Sequence, residues 1–195
     1  DFGCHVLKNF FQGKSGFGSE KVTKELIKWL DEVKPNVIHL HNIHGFYLQT
    51  ELLFAYLKEA DIPVVWTLHD CWGFTAQCSH FTMEKCDKWK TGCYACPRYK
   101  LYPYTWVDRT RRMYKLKKAW LTGVEDLTIV TPSEWLASLV KQSFLKEYPV
   151  KVIHNGIDLS VFKPTPSDFR EKNKLTDKKI VLGVASGWTY RKGLD

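Results

Sequence analysis

Polar and titratable residues follow three apolar runs of the chain, at the point where each run ends. His41 and Asn42 close the first run, His69 and Asp70 the second, and Ser133 the third. In an open parallel sheet, ligands bind outside the carboxyl ends of the strands. For any one of these histidines, a structural hydrogen bond is the simpler interpretation. Three strand ends that carry such residues together favour a binding or catalytic site.

The histidines around the first run share a spacing that restricts their direction. His39 and His41 are two residues apart, so alternation along a strand puts them on the same side. His41 lies nearer the tip, and His44 follows three residues later. The sequence therefore predicts His41, Asn42 and His44 as substrate-binding candidates at one rim of a sheet.

Short apolar runs alternate with amphipathic segments along the chain. This pattern predicts an α/β fold, a parallel sheet with helices on both faces. We expect Ser19 to cap the first of these helices, which ends before Pro35. The further predicted helices are about 50–60, about 108–121 and 133–144, and the predicted strands are 37–41, 64–68, 127–131, 150–153 and 180–185.

Five of the six cysteines fall within 26 residues, between Cys71 and Cys96. Four thiolates in one loop suit a tetrahedral structural zinc, which would order an insertion that lacks its own core. We therefore predict a zinc site, with ligands Cys78, Cys86, Cys93 and Cys96. Disulfides, replacement of one ligand by His80, and a redox role remain alternatives.

Basic residues are concentrated in one segment. Between Arg98 and Trp120 there are eight lysines and arginines against one aspartate, Asp108, and six tyrosines and tryptophans are interleaved. Such a segment could contact anionic lipid headgroups or a lipid-diphosphate acceptor. It could also be a solvated basic helix face. We favour a membrane surface over nucleic acid, because no His-x3-5-His follows the cysteines.

The segment 152–158, Val-Ile-His-Asn-Gly-Ile-Asp, followed by Val161-Phe-Lys-Pro164, predicts a strand, a tight Asn-Gly turn and a capping aspartate. It resembles the interdomain segment of family 4 glycosyltransferases, with His154 where proline is usual. Members of that family have two Rossmann-like domains, an architecture called GT-B, and transfer sugars with retention. The resemblance implies an acceptor-side domain at 1–153 with a cysteine-rich insertion at 71–97, a linker at 154–167, and a truncated nucleotide-sugar-binding domain from 168.

Two further segments are similar to strands of the family's first domain. They are Val-Ile-His-Leu-His at 37–41 and Val-Val-Trp-Thr-Leu-His-Asp at 64–70. The resemblance implies that His69 lies beside the transferred sugar and the leaving phosphate, as the principal catalytic residue, with Asp70 next to it. The Thr131-Pro-Ser133 segment resembles a strand–helix junction whose amide groups could hold an anion. An equally good interpretation is that Ser133 only caps its helix.

The segment 181–193, near the end of the sequence, resembles the opening of the family's donor domain. Lys192 and Gly193 match residues that hold the donor diphosphate, and Arg191 could replace the family arginine, whose position falls near Gly187. A later pair of glutamates that grips the donor sugar would lie beyond Asp195. We therefore expect the chain by itself to bind donor weakly and to transfer sugar poorly.

The resemblance implies a retaining hexosyltransferase. It would use a nucleotide diphosphate sugar and a glycan or polyprenyl-linked acceptor in cell-surface polysaccharide biosynthesis of the bacterial exopolysaccharide, capsule or colanic-acid type. Its expected location is the cytoplasm, at the inner face of the cell membrane. Two alternatives are a nucleotide-sugar epimerase of the same fold, and a zinc-stabilised basic module without catalysis.

Overall fold

Four parallel strands form the sheet, in the order in which they follow one another along the chain. The computed structural model describes residues 2–14, 16–101 and 103–189. The strands are β1 (Ile38–Leu40), β2 (Val64–Thr67), β3 (Leu127–Thr131) and β4 (Val150–Val152). The helices are α1 (Phe2–Gln12), α2 (Glu20–Val33), α3 (Thr50–Glu59), α4 (Thr110–Leu121), α5 (Glu134–Val140) and α6 (Phe169–Lys172). The predicted parallel sheet with flanking helices is confirmed.

The alternation of side chains along β1 and β2 decides which face of the sheet is buried. Ile38, Val64 and Trp66 are buried, and the Trp66 ring lies 5.5 Å from the ring of Phe54 on α3. Burial of each such side chain contributes about 1.5–3 kcal/mol to folding. On the other face, His39 is exposed and Thr67 is half-buried. The core therefore fixes the strands, and it leaves the polar residues of the opposite face accessible.

An aromatic cluster forms the core of the segment between β2 and α4. Phe74, Phe81 and Trp89 are buried there, and the Trp89 ring lies 5.0 Å from Phe81 and 5.3 Å from Phe74. The hydroxyl of Tyr114 on α4 donates to the Trp89 carbonyl at 2.9 Å. The cysteine-rich insertion thus has its own apolar core and is attached to a helix of the main fold.

Three local predictions were wrong. Ser19 does not cap α2: it has a left-handed backbone (φ 62°) and its hydroxyl donates to the Phe46 carbonyl at 3.0 Å. The helix predicted to end near residue 144 ends at Val140. No Asn-Gly turn forms at Asn155–Gly156, where the described backbone lacks a turn.

Residues 1–154 and 155–195 form two separate compact units. The described part of the second unit, 155–189, contains the helix α6. The predicted strand 180–185 does not form there. Val181 is 97% exposed, so that segment lacks the neighbour that strand pairing requires. Asp158 does cap a turn, because its Oδ1 accepts from the Ser160 amide at 2.8 Å.

In the described ranges, no helix has both the length and the apolar composition needed to span a membrane.

Candidate functional site

A cluster of three imidazoles lies at the carboxyl ends of β1 and β2. His41 Nδ1 lies 3.1 Å from His69 Nε2, and the two rings are stacked with their centroids 5.4 Å apart. The His39 ring lies 4.2 Å from the His41 ring, and His39 Nε2 lies 2.8 Å from Thr67 Oγ1. The pairing of Leu40 with Trp66 sets this register, so adjacent parallel strands end at one edge. We call His39, His41 and His69 the histidine rim.

The histidine rim is exposed and polar, and its geometry depends on its protonation. A hydrogen bond between two imidazole nitrogens requires that one carries a proton and the other does not. Burial, together with the charges of His41 and His69, lowers the pKa of His39 below its ordinary value. The rim therefore offers both donors and acceptors to a polyhydroxylated ligand.

Asp70 follows the rim and is held by two neighbours. Its Oδ1 accepts from the Trp72 amide at 2.8 Å, and its Oδ2 lies 3.0 Å from His44 Nε2, within ion-pair distance. Burial by itself raises the pKa of Asp70, but His44, the Trp72 amide and the Lys117 charge outweigh it and lower the pKa. Asp70 is thus a carboxylate oriented by a hydrogen bond at one oxygen and by the neighbouring His44 ring at the other.

The remaining predicted residues of this domain have other contacts. Asn42 is exposed, and its carbonyl accepts from the Tyr47 hydroxyl at 2.7 Å. Ser133 Oγ accepts from the Leu136 amide at 3.3 Å, as an N-cap of α5 does. The capping interpretation of Ser133 therefore has direct support from its hydrogen bond.

Three residues of this region were missed by the sequence reasoning. Thr67 is two residues before His69, so strand alternation could have placed both on one side. Trp72 and Lys117 contact each other from segments 45 residues apart. No local spacing in the sequence indicates that contact.

The four cysteines predicted to bind zinc lie close together. Cys78, Cys86, Cys93 and Cys96 line one small cavity of about 20 Å³. A hydrogen bond with Cys96 raises the pKa of the Cys78 thiol, and burial raises that of Cys93 to about 11. The same hydrogen bond lowers the pKa of the Cys96 thiol to about 7, so Cys96 loses its proton more readily than Cys78 or Cys93.

The structure does not support the predicted zinc site. Within residues 2–14, 16–101 and 103–189, no group of three or more His, Cys, Asp or Glu side chains is arranged to hold a metal ion. The prediction assumed that the insertion lacked a core, whereas Phe74, Phe81 and Trp89 form one. Apolar packing of these rings supplies the order for which zinc was invoked.

Two residues of the basic segment 98–120 turn inward. Arg98 contacts the Glu84 carboxylate and His80, and Lys117 is completely buried. The other basic side chains of α4, among them Arg112 and Lys115, are exposed. Arg191, Lys192 and Gly193, the predicted donor-phosphate residues, lie outside the described residues.

The chain is similar in sequence to a known protein family and to a curated protein. The sequence model of Glycosyltransferase Family 4 matches residues 5–161. WcaC of Escherichia coli (strain K12), named for colanic acid biosynthesis as a glycosyl transferase, is 31% identical over 133 residues, which cover 65% of this chain and 32% of WcaC. The chain thus spans about a third of the length of this curated relative. No solved structure matches the chain significantly.

The match of the family model includes β1 to β4 and every member of the histidine rim. It covers well over half of the 195 residues. The chain belongs to Glycosyltransferase Family 4.

Proposed function

We propose that the protein transfers a hexosyl unit, with retention, from a nucleotide diphosphate sugar to a glycan or lipid-linked glycan during cell-surface polysaccharide biosynthesis. Residues 1–153 form the acceptor-side domain, 154–167 the linker, and the chain from 168 begins the donor-binding domain. Membership of the family and the similarity to WcaC support glycosyl transfer. The hexosyl unit, the retention and the classes of donor and acceptor rest on the resemblance of the sequence to this family, and the roles of the rim residues rest on the arrangement of the site.

The observation that carries this proposal is the contact between His41 and His69. Two imidazoles joined at 3.1 Å at the ends of neighbouring strands present further ring nitrogens to solvent. With one nitrogen of each ring used in that bond, the neutral pair keeps one ring N–H, which can donate to a hydroxyl or phosphate oxygen, and one bare ring nitrogen, which can accept from a hydroxyl. His69 is the residue that contacts the transferred sugar, and His41 with Asn42 contacts the acceptor.

The chemistry requires stabilisation of the negative charge that develops on the leaving diphosphate. Donor groups fixed before the reaction lower that barrier, and cations are suited to it. We assign this role to Lys192, Gly193 and Arg191 in the second unit. His44 and Asp70 keep the segment after β2 in place.

The test uses the full-length protein with UDP-glucose, UDP-galactose and GDP-mannose as donors and a polyprenyl diphosphate sugar as acceptor. We expect release of free nucleoside diphosphate together with a new glycosidic bond, whose anomeric configuration is read by NMR. His69→Ala should reduce the rate of transfer by about 10²–10³, and His80→Gln, outside the rim, should retain it. An isomerised nucleotide sugar without transfer would identify an epimerase and refute the proposal.

A lipid-linked acceptor would be met at the inner face of the cell membrane. The exposed side chains of Arg112 and Lys115 on α4 complement anionic headgroups there. Sedimentation with phosphatidylglycerol vesicles, but not with phosphatidylcholine vesicles, is the expected result. Equal binding to both would contradict this location.

A further inference from the structure

Lys117 is a buried lysine with an unusual set of contacts. Its side chain is completely inaccessible to solvent, and its ammonium group donates to the Trp72 carbonyl. The same nitrogen lies 3.3 Å from the centroid of the Trp72 ring. Lysines are almost never fully buried unless they are paired, because desolvation of the ammonium group is costly. Trp72 therefore supplies both the carbonyl oxygen and the aromatic ring that contact this ammonium group.

Trp72 connects Lys117 to the rim. Its amide donates to Asp70 Oδ1 at 2.8 Å, and its ring centroid lies 5.2 Å from that of His44. Asp70 Oδ2 in turn lies 3.0 Å from His44 Nε2. Lys117, Trp72, Asp70 and His44 thus form a continuous chain of contacts that begins in the core and includes Asp70, one residue after His69.

The charges around Lys117 are few. Burial lowers its pKa to about 7, and the Asp70 carboxylate opposes this effect. The Lys117 charge also contributes to the low pKa of Asp70. A methionine could fill the same volume without the cost of a buried charge. A role in packing alone therefore does not account for an ammonium group here.

We propose that Lys117 is a positioning residue for the transfer reaction. It anchors Trp72, and through Trp72 it orients His44 and Asp70, the residue that follows His69. This inference rests on the proposed function. Misplacement of a site by about 1 Å can reduce a rate by about a hundredfold, even when the altered residue is far from the chemistry. Lys117 contacts neither sugar nor phosphate.

The test compares Lys117→Met with Lys115→Met in the full-length protein. Lys115 lies on the same helix and is exposed, so it provides the matched control. In Lys117→Met we expect kcat to fall about tenfold or more, with KM for the nucleotide sugar changed by less than about twofold. The ring ¹⁵N signals of His44, assigned with His44→Gln, should shift and broaden. Lys115→Met should change neither kcat nor these signals.

Failure of the proposed function and failure of the positioning role of Lys117 would give different results. A wild-type protein that transfers no sugar refutes the proposed function, whatever the NMR spectra show. An active Lys117→Met variant with wild-type kcat and wild-type His44 signals refutes the positioning role. If Lys117→Met does not fold, Lys117→Gln keeps a donor for the Trp72 carbonyl without the charge. It should still shift the His44 signals from their wild-type positions, and unchanged signals would overturn the inference.

Discussion

His41 Nδ1 and His69 Nε2 lie 3.1 Å apart, although 28 residues separate them in the sequence. Because one nitrogen must donate and the other accept, the position of a proton on one ring fixes the state of the other. The pair therefore acts as a unit, and substitution of either residue changes the hydrogen bonding of its partner.

The first prediction concerns this pair in the full-length protein. His69→Ala should reduce kcat for sugar transfer by about 10²–10³, which is the loss typical of one donor to a charged transition state. His41→Ala should reduce it by about tenfold, since it removes the partner of His69. The double variant should lose little more than His69→Ala alone, as measured in a double-mutant cycle.

Strict additivity of the two losses would show that the residues act independently. Thr128→Ala, at a half-buried position of β3 outside the rim, provides a control that should retain most activity.

The second prediction concerns His5, a buried residue of α1. Its Nε2 accepts from the Gly16 amide at 3.2 Å, so Nδ1 carries the proton and donates to Ser19 Oγ. Burial lowers the pKa of His5 from 6.5 to about 4. Between pH 6.5 and pH 4 the unfolded chain therefore binds this proton more readily than the folded chain, and stability falls as the pH falls.

The test compares the free energy of unfolding of the wild type with that of His5→Gln. We expect the wild type to lose roughly 2 kcal/mol relative to the variant as the pH is lowered from 7 to 4. Urea unfolding at several pH values measures it. A difference that does not vary with pH would contradict the lowered pKa of His5.

The sheet and its rim could be predicted from the sequence because both depend on local periodicity. Runs such as Val64–Thr67 are apolar on one face, and strand alternation fixes the direction of His39 and His41. Parallel pairing then brings strand ends together without further information. The contact between His41 and His69 follows from these two rules.

The remaining features depend on contacts that are distant in the sequence. Ser19 has the residue type of an N-cap, but its hydroxyl donates to the Phe46 carbonyl instead. The aromatic core of the insertion requires Trp89 to meet Phe74 and Phe81, which no period of the sequence indicates. The contact of Lys117 with Trp72 is of the same kind. In each case the actual role of the residue is set by contacts with residues that are distant in the sequence.

The third prediction concerns the N-cap of α5. Ser133 Oγ accepts from the Leu136 amide, so Ser133→Ala should lower the free energy of unfolding by about 1 kcal/mol. Ser133→Asp should restore it, because a carboxylate also accepts this bond and is favoured at a helix N-terminus. Urea unfolding measures both. Ser138→Ala, whose hydroxyl donates to the Trp135 carbonyl within the exposed helix surface, is the control.

A catalytic loss in Ser133→Ala without any loss of stability would contradict the capping role and favour an anion site.

The fourth prediction tests what holds the cysteine-rich insertion together. Trp89 is 2% exposed, stacks on Phe81 and carries the carbonyl to which Tyr114 donates. Trp89→Ala should therefore lower the free energy of unfolding by about 3–5 kcal/mol, with or without EDTA. Trp29→Ala, at an exposed position of α2, should change it by about 0.5 kcal/mol or less. A loss of wild-type stability in EDTA as large as that caused by Trp89→Ala would show that a metal on the thiols, and not the aromatic core, orders the insertion.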